Sequence, residues 1–216
     1  MDDSDARREP RWPAVLAILA VGGLRLALPN ALAIGPTWLL LAILAILLVP
    51  TLWALWKGSH LFNRVMGFIL SGLMTLDMLW SLSLLLKALP SHTESPLALL
   101  RSAAALWVTN ILVFASWYWR LDAGGPHARE MRERHTDGAF LFPQMTLDED
   151  TLKAMDLQNW SPGFIDYLFI AFNTSTAFSP TDAPVLDRWA KVLMMTQSLI
   201  SFTTVAFLAA RAVNIL

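Results

Sequence analysis

There is no cysteine in the 216 residues, which removes disulfide frameworks, thiol catalysis and cysteine metal sites and leaves the redox compartment open. Charge is scarce too: 15% of residues are Asp, Glu, Lys or Arg, and the formal net charge is −1. With no basic stripe interleaved with aromatics, nucleic acid is not an expected partner. His-Glu-X-X-His, a nucleophile elbow and a phosphate loop are all missing, so neither enzymatic activity nor a cofactor is expected. No period of about 20 to 50 residues recurs, which argues against a solenoid. His127 and His135 are too far apart for a one-turn zinc pair, and the charges around them in HAREMRERH read as a solvated face. No metal site is expected there.

What is abundant is apolar surface, at 56% of residues, the balance of an integral membrane protein. A spanning helix needs about 20 mostly apolar residues. Four such runs precede residue 121, namely Pro13 to about Leu28, Trp38 to Trp56, Val65 to Leu86 and Leu97 to Trp119. A longer one, Val185 to Leu216, closes the sequence. Each is expected to be helical, because lipid offers no partner to bare backbone groups. Trp12, Trp38, Trp56, Trp117, Trp119, Trp160 and Trp189 stand near the ends of these runs and read as an interfacial belt. The first run imitates a secretory signal, with Arg7, Arg8 and Arg11 ahead of it and Ala31-Leu32-Ala33 behind. Arg25 interrupts its apolar core and Asp2, Asp3, Asp5 and Glu9 dilute its basic start, so it is expected to be retained as a helix. The predicted organisation is all-α: a four-helix transmembrane region over 1–120, an extramembrane loop with one short helix over 121–160, and a third unit over 161–216.

That third unit contains FNTSTAFSPTD, residues 172 to 182, too polar for a span and too apolar for an ordinary surface loop. Ahead of it, Ser161-Pro162 and Asp166 have the grammar of a helix start. The helix predicted from Gly163 to Asn173 would cover about 17 Å, roughly half the hydrocarbon layer. Pro180 and Pro184 then prevent its continuation. The expected sequence of elements is a half-membrane helix, an irregular polar segment and a final full-length helix. Irregular backbone at membrane depth is tolerated only where protein buries it or water lines it, so an oligomer around an axis is expected.

Over about the last 55 residues the chain resembles the pore module of tetrameric cation channels, in which a pore helix, a filter of the form T-T-V-G-Y-G and an inner helix are consecutive. Thr174, Ser175, Thr176, Ala177, Phe178 and Ser179 stand in the filter's place, with Asp182 three residues on. The whole chain also resembles a group of small, uncharacterised bacterial membrane proteins with several helices ahead of such an end. The resemblance implies a re-entrant pore loop, a homotetramer, monovalent cations as the permeant species and a bacterial inner membrane. Ala177 and Ser179 replace both filter glycines, where each L-residue in the turned conformation costs roughly 1–2 kcal/mol, so a differently shaped filter without strict potassium selectivity is expected. The other reading of the stretch is a re-entrant hairpin that only packs the bundle.

On the last helix Gln197, Ser201, Thr204 and Arg211 fall on one stripe, which would line an inner vestibule or, alternatively, bond to neighbouring helices. Arg211 near the helix end would snorkel to the interface. Two charges lie inside apolar runs, Arg25 in the first and Asp77 in the third, each about 12 residues from the same side and roughly 18 Å deep. Matched depth and opposite sign predict an ion pair. The excess of Lys and Arg on one side puts the N-terminus in the cytoplasm, so a re-entrant segment would enter from inside, as in glutamate-receptor channels. The alternative is a full crossing by residues 163–179, giving six spans. A voltage sensor is not expected, since no helix carries regularly spaced arginines. Two further function classes compete with a channel: a non-conducting scaffold or partner-binding subunit, and a small-solute carrier, against which the lack of inverted repeats counts.

Overall fold

The computed structural model describes residues 9–88, 95–132, 135–176 and 183–213, with the side chains of the last helix followed to Ala210. The chain is all-helical, with four helices long and apolar enough to cross a membrane. These are α2 (Trp38–Trp56), α3 (His60–Ala88), α4 (Pro96–Leu121) and α8 (Arg188–Val213), with α1 (Trp12–Leu24) as a shorter apolar helix before them. Two short helices, α5 (Pro126–Glu130) and α6 (Glu149–Ala154), and α7 (Phe164–Thr176) lie between α4 and α8.

The first helix is shorter than its apolar run promises. Regular α-helix ends at Leu24, a single 3-10 turn takes Arg25–Ala27, and Leu28 is extended ahead of Pro29. Thirteen residues cover about 20 Å, short of the roughly 30 Å hydrocarbon layer. The cause sits at Arg25, 5% exposed, whose Nη1 meets the Asp77 carboxylate and whose Nη2 donates to the Ile34 carbonyl at 2.5 Å. The structure thus brings Arg25 and Asp77 together, with a backbone carbonyl satisfying part of the remaining guanidinium.

α4 is the central helix, touching α1, α3, α7 and α8. It starts on a serine cap, Ser95 accepting from Ala98 N at 3.2 Å with Pro96 in the first turn. Its faces are filled by Leu99, Ala103, Leu106, Val113, Phe114 and Tyr118, all 3% exposed or less. α3, at 29 residues and about 43 Å, outruns the bilayer, and its first turn projects with Leu61 and Phe62 exposed. His60 in that turn stacks on His127 of α5 at 3.4 Å between ring centres, which puts the start of α3 and the end of α4 on one side of the bundle.

On that side residues 121–132 and 135–163 form a collar. Ala123 has φ +52 and Gly125 φ +92, and a Cβ on Gly125 would lie 2.8 Å from the Arg120 carbonyl, so the chain can leave α4 this tightly only through glycine. Phe140 bridges Val185, with Leu141 N donating to Pro184 O and Leu186 N to Ala139 O, which ties the collar to the segment before α8. α6 is capped by Asp148, which accepts from Thr151 N at 2.8 Å.

The tryptophan belt is partial. Trp12, Trp38 and Trp56 are 59% exposed or more, as an interfacial ring should be. Trp119 instead is 4% exposed and donates its indole N–H to Glu9, and Trp117 donates to Thr75 Oγ1 at 2.8 Å. An indole drawn out of water needs an acceptor, and the buried Trp119 and half-buried Trp117 each find one.

Candidate functional site

The unit predicted over 161–216 forms around α4, α7 and α8. α7 starts at Phe164 rather than at Pro162, because its cap is not Ser161: Asp166 reaches back and its Oδ2 accepts from Gly163 N at 2.7 Å. Its far end also differs from expectation, running on through Thr176. Thr174 Oγ1 donates to Ile170 O at 2.8 Å and Thr176 Oγ1 to Phe172 O at 3.0 Å. Three of the filter-like residues, Thr174, Ser175 and Thr176, are thus the last turn of a helix. Their hydroxyl residues satisfy helix carbonyls or α8 instead of forming an irregular strand. Ala177, Phe178, Ser179 and Asp182 lie outside the described residues.

α7 and α8 run side by side in the same direction. Gln197 Nε2 donates to Ala171 O at 2.7 Å, and one turn further Ser201 Oγ donates to Ser175 O at 2.7 Å, so the offset between the helices is 26 residues at both contacts. Their starts share one level: the Phe140 ring packs against Tyr167 in the second turn of α7 and, edge-on, against Trp189 at the start of α8.

Gln197 is the hub of the polar contacts. It is fully buried, its Nε2 also donates to Ser175 Oγ at 2.9 Å, and its Oε1 accepts from Tyr118 of α4 at 2.5 Å. Asn110 Nδ2 donates to the Gln197 carbonyl at 3.2 Å, and Trp107 Nε1 to Ser201 Oγ at 3.1 Å. Thr204, also fully buried, turns its hydroxyl back onto Ile200 O and Ser201 O. The stripe of Gln197, Ser201 and Thr204 therefore faces α4 and α7 of its own chain, not an open vestibule. Interhelical hydrogen bonding, the alternative for such a stripe, is what Gln197 and Ser201 do, while Thr204 bonds within α8. The outward face of α8 carries Met195, Leu199 and Phe202, each 59% exposed or more. The arginine of the stripe, Arg211, lies beyond the described side chains.

The mouth of this unit is held by a charged clasp that the sequence does not announce. Arg129, read as part of a solvated face, is 3% exposed. Its Nη1 donates to the carbonyls of Trp119 and Asp122 at 2.9 and 3.0 Å, and its Nη2 to Glu9 Oε2 at 3.1 Å. Asp122 is fully buried; its carboxylate accepts from Ala139 N at 2.5 Å and from the Tyr167 hydroxyl at 2.6 Å, which fixes the entry of α7. Burial lifts the Glu9 carboxyl above its ordinary value, against the pull of Arg129, Trp119 and Arg11. His135 lies nearby, 5% exposed between the edges of Phe142 and Trp160, with neither ring nitrogen hydrogen-bonded. Burial first, then the Arg129 charge, pushes it down to about 4. Among the described residues no cluster of three or more His, Asp or Glu is arranged to hold a metal ion.

Compared with known proteins, the chain matches no family model, no curated protein and no solved structure, so the reading of this site rests on its geometry.

Proposed function

We propose that the protein is an oligomeric, channel-like protein of a bacterial inner membrane, in which α7 and the residues after it form a re-entrant segment that conducts monovalent cations. The observation that carries this reading is the parallel course of α7 and α8. Parallel neighbours that start at one level require the chain to come back to that level between Thr176 and the start of α8. α7 covers about 20 Å, so its last turn lies about that far from the level at which it starts. The chain then returns to the level of Phe140 before α8 starts. A polar link at that depth needs water or protein around it. Copies arranged around an axis supply both, and four of them would make a pore of the tetrameric class.

α8 is the span least covered by its own chain, with 22% of its apolar window buried against 56% for α4. Its outward face, with Leu199 at the centre, is the one this reading turns toward the shared axis. An apolar lining there gates by dewetting rather than by charge.

Purified protein in liposomes, assayed for monovalent-cation flux, tests the reading. Flux above empty vesicles that falls with Thr176→Val and with Leu199→Trp is the expected result. Flux unchanged in both variants places the path elsewhere. No flux at any applied voltage favours the second reading, a non-conducting scaffold or partner-binding subunit. The burial of Gln197, Ser201 and Thr204 inside one chain is the observation on that side.

A further inference from the structure

A second concave site lies on the collar side, away from α7 and α8. A cavity of about 190 Å³ is enclosed by the end of α2, the start of α3, the end of α4 and the turn into α5. Its lining is cationic at Arg11, Arg64 and the nearly buried Arg120, and apolar at Leu55, Leu61 and Phe68. The charges are unevenly balanced. Arg11 is taken by Glu130, its Nη2 donating to Oε1 at 2.7 Å, and Glu9 lies 3.6 Å from its Nη1. Among the described residues no carboxylate lies within ion-pair distance of Arg64 or Arg120.

Arg120 is the decisive residue. It is 9% exposed, its Nε has no hydrogen-bond partner, and its guanidinium lies over the Trp119 ring at 5.0 Å while passing beside Gly67 of α3. A Cβ at Gly67 would collide with that guanidinium, so the place the Arg120 head occupies depends on the missing side chain. A nearly buried, unpaired guanidinium is costly in any solvent, and the cavity is the direction from which an anion can reach it.

We infer that this cavity binds a phosphate-bearing anion, with Arg120 at its base and Arg64 at its rim. Guanidinium groups match phosphate oxygens with paired N–H donors, and Arg64, exposed and lying over Phe68, is free to swing onto the same anion. The apolar walls give the ester carbons of a phospholipid a surface that free phosphate does not use. The stacked rings of His60 and His127 close one side and add ring N–H donors, with His127 Nδ1 4.0 Å from the Glu130 carboxylate. This site is independent of whether α7 and α8 conduct.

Native mass spectrometry of the full-length protein in neutral detergent tests the inference, titrating phosphatidylglycerol, phosphatidylcholine or inorganic phosphate. The expected result is one tight phosphatidylglycerol per chain, weakened by about tenfold in Arg64→Gln and more in Arg120→Gln, with phosphatidylcholine binding weakly in all three proteins. Phosphate that binds alone and is weakened by the same variants supports the same chemistry from a free source. Equal binding of the two lipids by the wild type, with no phosphate binding, overturns the site. So does unchanged binding in the variants. Arg64 is exposed, so Arg64→Gln decides alone if Arg120→Gln does not fold.

Discussion

At the scale of single residues, the collar side depends on charges removed from water. Arg129 donates to two backbone carbonyls and to Glu9 while 3% exposed, so removing it strands acceptors on three residues. Arg129→Met is expected to destabilise the protein by about 3–5 kcal/mol, the range for breaking a buried pair from one side. Adding Glu9→Gln should recover part of that loss, and thermal melts of the two single variants and the double would show it. His135 gives a pH dependence whose sign is set by its depressed pKa. A histidine held neutral in the folded state contributes stability above its unfolded value near 6.5 and loses it as pH falls toward about 4. Melting midpoints should therefore drop across that window, and His135→Phe, which keeps a ring between Phe142 and Trp160, should flatten the drop. An identical pH profile in the variant would assign the effect to another group.

At the scale of elements, the sequence was informative wherever an element is defined by solvent. The spans α2, α3, α4 and α8 are visible as apolar runs, and the start of α4 as a serine-proline cap, because lipid and backbone impose those patterns locally. The ends of α1 and α7 were not legible, since partners far along the chain decide them. Arg25 stops α1 by turning to Ile34 and Asp77, and Thr174 to Thr176 stay helical because α8 and their own preceding turn take up their polar groups. The clasp was equally hidden. HAREMRERH has the composition of a wet surface, and nothing local distinguishes Arg129 from its neighbours until Glu9 and the end of α4 fold over it. The Gln197 stripe was visible as a stripe; only the packing of α4 and α7 decides which way it faces. If Gln197 serves to join these helices, Gln197→Leu should cost on the order of 1–3 kcal/mol, the sum of several bonds each worth well under 2 in a membrane. Any ion selectivity should stay as it was. A change in selectivity without loss of stability would return Gln197 to a pore-lining role.

For the whole molecule, the arrangement puts residue 57, the start of α3, the collar and the entrances of α7 and α8 on one side, and the loop after α1 on the other. Single cysteines introduced at Lys57 and Gln158 should react with an impermeant thiol reagent from one face of oriented vesicles, and one at Gly35 from the opposite face. The natural chain supplies no background thiol. Labelling of all three from one face would refute the arrangement.

The grip of Gln197 and Ser201 on the final turn of α7 has a mechanical result at this scale. The same span that holds that tip from within has an uncovered outer side, so lateral pressure on α8 is passed on to the tip as by a lever. Spectroscopic labels at Thr176 and Leu199 should shift together when the surrounding bilayer is thinned, and independent movement of the two would show the lever to be slack.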